Sequence, residues 1–312
     1  MATASVLTMG FVTRRVDIVH LALLSTALVV SYALPFELLL LSYAILGPAH
    51  YFTEINWLYD RKFFLPMRAL AVVPLAAGVT SMFITDGYLA GIMLWLVLLA
   101  CAIFAAAKTT RQALMLSVIA LAATVAMVAA QVPFVLAAVL LPTFIHVCIF
   151  TLIFMTLGAL RAQIGVQLGI VAVYLIAIAL ILAMPPSERT VIPPLARIGE
   201  MYFGGVAPAL GQLVGVPDLQ FGGRITGLLS FVYTYHYLNW FIKADVIRWA
   251  AIPRGRLIAI AGLSAASTAL YFYDYEIGLA VLLFVSLTHV LLEFPLNGLS
   301  MVQLVTFRRS AA

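Results

Sequence analysis

A chain of 312 residues that is 65% hydrophobic and only 9% charged, with a mean hydropathy of +1.14, lacks the polar surface a water-soluble domain needs. Its net charge of +5 is spread along the ends of apolar runs rather than gathered in a patch, which excludes nucleic acid as its explanation and leaves orientation in a membrane. The expected class is an all-α polytopic membrane protein, one domain over residues 1–312.

In chain order, apolar runs bounded by charges, prolines or glycines predict about ten transmembrane helices. They cover 16–34, 36–57, 66–84, 87–107, 112–131, 133–158, 164–184, 224–243, 256–273 and 276–296. Arg14-Arg15 before the first run imitates an export signal, but no small-residue cleavage site follows, so the run is expected to stay as the first span. Leu34-Pro35 and Gln131-Val132-Pro133 read as tight turns between antiparallel neighbours. Cys101 and Cys148 lie inside apolar runs and define no disulfide framework.

The long connection 185–223 admits three readings: an interfacial helix, a re-entrant segment or an eleventh span. Charge placement decides among them. With ten spans, one side of the membrane holds only Arg189, Arg197 and Arg224, and the other 14 of the 17 basic residues fall on the side of the N-terminus. That asymmetry puts both termini in the cytoplasm and lays 185–223 at the outer surface. Asn56, Asp60 and Asp245 then mark the cytoplasmic boundary, solvated or paired with Arg61, Lys62 or Arg248.

All five histidines, His20, His50, His146, His236 and His289, fall within predicted spans. One such histidine alone is as readily a tolerated core residue as a functional one, but these share a depth. His50, His146, His236 and His289 lie on spans that run the same way, each roughly 20 Å from its helix start at about 1.5 Å per residue. His20, near the start of an oppositely directed span, falls on the same side and reads equally as a fifth ligand, a proton relay or an interfacial group. "HYFTE" and "HVLLE" give His50 and His289 a glutamate four residues on, Glu54 and Glu293, on the same helix face. A carboxylate inside a span is costly unless paired or metal-bound, and repeated His/Glu faces are how helical bundles assemble metal sites. Imidazole with carboxylate suits iron, zinc or copper, the glutamates serving as ligands or as acceptors that orient the imidazoles. Around His236, "FVYTYHYLNWFIK" places Tyr233, Tyr237 and Trp240 on its helix face, as wall of an apolar cavity, with Asn239 as a polar neighbour; Trp240 reads equally as an interface anchor. Pro48 and Pro142, just ahead of His50 and His146, are expected to kink their helices.

These patches resemble the Brp/Blh-like membrane family, the bacterial β-carotene 15,15′-dioxygenases that make retinal. "LGPAHYFTE" is similar to the family's first motif, a glycine and proline before a histidine with a carboxylate four residues on; here the proline is shifted by one and Glu54 replaces aspartate. "THVLLEFPLN" resembles the last motif, and Phe144-Ile145-His146 the middle one. The family's close central histidine pair is absent, since "YHYLNW" holds only His236. The resemblance implies a bacterial inner-membrane enzyme with Fe(II) held by histidines, O2 as co-substrate and a lipid-soluble polyene as substrate.

The leading expectation is a membrane-embedded metal oxygenase, with His50, His146, His236 and His289 on the iron and a hydrophobic substrate entering from the bilayer. The alternative is a haem-binding protein or electron carrier using the same histidines, and a third is a metal transporter or structural subunit. Few polar residues continue from the histidine layer to the outer surface, which counts against a through-path.

Overall fold

The computed structural model describes residues 2–61, 80, 86–107, 109–132, 134, 141–162, 165–186, 190–203, 221–242 and 251–307. The elements in chain order are α1 (Ala2–Ala33), α2 (Pro35–Leu41), a π-helical turn (Ser42–Leu46), α3 (Gly47–Arg61), α4 (Gly87–Ala106), α5 (Thr110–Ala129), α6 (Leu141–Phe144), a second π-turn (Ile145–Phe150), α7 (Thr151–Ala162), α8 (Gly165–Ala183), α9 (Pro193–Ile198), a third π-turn (Gly199–Phe203), α10 (Phe221–Ile242), α11 (Arg254–Tyr273) and α12 (Tyr275–Val305). No strand occurs among the described residues. Among the described residues, five helical stretches are long and apolar enough to cross a bilayer: Val16–Ala33, Pro35–Arg61, Thr110–Ala129, Gly165–Ala183 and Arg254–Tyr273. The protein is therefore an all-α membrane protein. The expected span 66–84 lies outside the described residues except at Thr80, as do Lys62, Arg68, Lys108, Arg189, Lys243, Arg248, Arg308, Arg309 and Asp245.

Local chemistry sets the helix ends. Asp86 accepts from the backbone N–H groups of Tyr88 and Leu89 at 2.9 and 3.1 Å, and Thr109 from Gln112 at 3.2 Å, capping α4 and α5. α5 stops at Gln131, whose φ of 52° is left-handed; the Val132 N–H reaches back to the Met127 carbonyl and the Gln131 N–H to Val128, closing the helix end ahead of Pro133. That is the tight turn expected there. Asp274 caps α12 by accepting from the Ile277 N–H at 3.0 Å. Gly278, in the first turn of α12, lies so close to α11 that a Cβ would stand 2.2 Å from the Tyr271 Cα, so this hairpin closes only on glycine.

The chain forms two compact units. The first, Met1–Leu46 with Thr151–Pro253, gathers α1, α2 and α8 around α10. Its interior is aromatic: Tyr174, Phe231 and Tyr235 stack with centroids 5.6–6.3 Å apart. Of the connection 185–223, the described part is α9 and the π-turn after it. Their start is held by Glu37 of α2, a buried carboxylate that accepts from the Val191 and Ile192 N–H groups and so serves the N-terminus of α9 from a distance in sequence.

The second unit, Gly47–Phe150 with Arg254–Ala312, packs α12 against α11, α3, α4 and α6. Asp60 pairs here with Arg256 at 2.6 Å, and Asn56 accepts from the same guanidinium at 3.1 Å. Arg61 lies over the Trp57 ring at 5.5 Å. The expectation has Asp60 solvated or paired with Arg61, Lys62 or Arg248; it is half-exposed, and its partner is Arg256, which α11 brings to the end of α3.

Candidate metal centre

Two of the three π-turns among the described residues are built where the histidines are. Pro48 has no N–H for the carbonyl four residues earlier and its ring needs room there, and the backbone ahead of it widens into the turn Ser42–Leu46. Pro142 sits at the second position of α6, where a missing N–H costs little, and the turn Ile145–Phe150 follows with His146 inside it. The expected kinks thus take the form of widened turns. Each adds a residue to the turn and resets which side chains share a face.

In the second unit these devices bring together His50 from α3, His146 from the π-turn and His289 from α12. One ring nitrogen of each lies within 4.8 Å of the others. All three are 0–1% exposed. The His289 Nε2 is 3.3 Å from the His146 Nε2, with ring centroids 5.0 Å apart and nearly perpendicular. The His50 ring stands edge-on to His289 at 5.2 Å.

The two glutamates close the group. Glu54 Oε2 is 3.0 Å from His50 Nε2, the i,i+4 contact that "HYFTE" predicts. The matching pair on α12 is exchanged: Glu293 Oε2 lies 2.8 Å from His146 Nδ1 rather than turning to His289. Both glutamates are 2–3% exposed. The Glu293 carboxylate thus stands beside the His146 ring, where a carboxylate can orient an imidazole that binds a metal. Oxygens of Glu54 and Glu293 also lie within 4.8 Å of a His146 nitrogen and of each other.

The donor set fits a divalent cation. Two carboxylates in an apolar interior need opposing charge, and neutral imidazoles supply none. The nitrogen spacing also indicates the geometry. With metal–nitrogen bonds of about 2.0–2.1 Å, ligands at a right angle stand about 3.0 Å apart, tetrahedral ones about 3.4 Å and opposed ones about 4.1 Å. The 3.3 Å between His146 and His289 is compatible with neighbouring positions on one ion, whereas a haem clamped between two imidazoles needs opposed ones. Tyr51 adds to this. Its ring stacks on His289 at 4.4 Å and 25° and meets His50 edge-on at 5.7 Å, filling the space a macrocycle would take.

The remaining candidates lie in the first unit. His236 of α10 is held through Nδ1 by the Thr151 hydroxyl at 2.7 Å. Its neighbours Tyr233 and Tyr237 are buried and edge-on to each other at 6.0 Å, and Tyr233 also meets Tyr43 at 6.1 Å. Asn239 is buried on the same helix and Trp240 is half-buried. His20 of α1 is 3.4 Å from the Tyr235 hydroxyl, which ties it into the aromatic stack of its own unit.

Tyr51, Thr151 and the exchange of glutamate partners escaped the sequence reading. Tyr51 adjoins His50 and Thr151 closely follows His146, but only the fold reveals what each faces. Comparison with protein-family models, curated proteins and solved structures finds no match.

Proposed function

We propose that the protein is a membrane-embedded non-haem metal oxygenase, with iron as its metal and a lipid-soluble substrate such as a carotenoid, cleaved oxidatively to a retinal-like product. One observation carries the reading: three buried imidazoles with ring nitrogens within 4.8 Å of one another, backed by two buried carboxylates. His50, His146 and His289 would hold the ion. Glu293 would orient His146 or join it as a ligand, and Glu54 would do the same for His50. His236 is proposed as a further ligand on sequence grounds, from its depth and the resemblance. Fe(II) in an imidazole-rich site with an open position supplies O2 activation when bound. The chain's own part is to exclude water, through Tyr51 and the apolar packing around the ligands, and to offer aromatic surface on α10, with Tyr233, Tyr237, Asn239 and Trp240, to an apolar substrate. In the bilayer, the charge asymmetry supports ten spans with both termini in the cytoplasm, and the family resemblance implies a bacterial inner membrane.

Metal analysis of the purified protein beside the double variant His50→Ala, His289→Ala is the test. Near-stoichiometric iron in the parent, largely lost from the variant, is expected. Equal metal content in the two would remove the centre. Expression in a carotene-producing host tests the reaction, and carotene left intact would remove the polyene substrate while leaving the metal.

A further inference from the structure

His50, His146, His289, Glu54 and Glu293 are 0–3% exposed, so an ion must travel through the protein to reach them. α12 continues past Pro295 to Val305, nine residues beyond the end expected from the sequence. On it Ser286, His289, Glu293, Asn297 and Ser300 follow at spacings of three or four, which puts them on one stripe, and all are buried. The stripe starts at Ser286, with buried Val285 and Leu282 before it, and beyond Ser300 the helix end is open, with Val302 60% and Val305 86% exposed.

Asn297 is the telling member. It is 1% exposed, and neither its amide oxygen nor its amide nitrogen has a hydrogen-bond partner among the described residues. Burying an amide unpaired is costly, and native interiors avoid this by placing water or another ligand there. The amide lies one turn, about 5–6 Å, from Glu293, and Ser300 lies about one turn further on. A hydrated divalent cation moving along this face would meet an amide oxygen and then a carboxylate, each able to replace part of its water shell.

We infer that the polar stripe Ser300–Asn297–Glu293 of α12 is the route by which a divalent cation reaches the histidine centre, with Asn297 as its relay. The inference rests on the reading of His50, His146 and His289 as a metal site. The test is Co(II) uptake by chelator-stripped full-length protein in detergent, followed by the absorbance of the bound ion, with final stoichiometry by metal analysis. Asn297→Leu keeps the volume and removes both polar atoms. Uptake at least tenfold slower, ending at the parent's stoichiometry and spectrum, is expected. Asn297→Asp, which keeps an oxygen in place, should load at least as fast as the parent and serves if the leucine variant does not fold. An unchanged rate in Asn297→Leu, or a tenfold slower one in Asn297→Asp, overturns the route. A changed final spectrum in Asn297→Leu also overturns it, because Asn297 would then be part of the centre. A parent that takes up no Co(II) removes the metal reading itself.

Discussion

Glu293→Gln separates a carboxylate that tunes a metal ligand from one that only fills space. Glutamine has the shape of glutamate, so an oxygen can keep its place beside His146 Nδ1, 2.8 Å away in the parent, without the charge. What disappears is the charge, and a charge-assisted bond is roughly twice as strong as a neutral one. Removing such a partner behind a metal-bound histidine typically lowers affinity about 10–100-fold, or about 1.4–2.8 kcal/mol. The metal-free protein should respond in the opposite sense. Its buried carboxylate, 3% exposed, is a charge held out of water, so neutralising it leaves stability unchanged or raises it. The assay is a pair of measurements on one preparation: metal affinity by competition with a chelator of known strength, and thermal unfolding of the stripped protein in detergent. Affinity within twofold of the parent would refute the assignment. So would a stripped variant that unfolds well below the parent, since the carboxylate's role would then be structural.

Two further changes probe the surroundings. A Cβ on Gly47 would stand 3.0 Å from the Tyr51 hydroxyl and 3.1 Å from the carbon bearing it, so Gly47→Ala should push the ring off its stack on His289 and cost about 1–3 kcal/mol of stability; adding Tyr51→Phe, which removes the nearest atom, should restore part of the unfolding temperature. Arg256→Ala breaks an ion pair whose partners are 43% and 44% exposed, so unfolding should shift by no more than about 1 kcal/mol, and a larger loss would show that the pair organises the α3–α11 contact.

The helices were legible because apolar length is a strong signal in a chain with so few charges, and His50, His146 and His289, singled out by spacing, do meet in the second unit. Their partners were not, and the reason is specific. A reading of faces assumes an unbroken period of 3.6, whereas His146 lies inside a π-turn and His50 follows one, so the extra residue re-aims everything downstream. The i,i+4 rule succeeded for His50 and Glu54, both within α3, where no such turn intervenes. It failed for His289 and Glu293, although α12 is continuous there, because spacing shows only that a contact within the helix is possible. Glu293 has a competitor in His146 that arrives from far away in sequence, and the Nε2 of His289 turns to the same imidazole.

The end of α12 failed for a different physical reason. Proline ends many helices in water because the carbonyls it leaves bare are readily solvated, but inside an apolar environment an open backbone group costs more than a bent helix, so the helix continues. Ending the span at 296 therefore hid the continuation of the polar stripe to Asn297 and Ser300. In a chain this apolar, polar residues that stay buried three turns along one face call for a physical occupant, and the imidazoles and carboxylates at the head of that face could hold a metal ion.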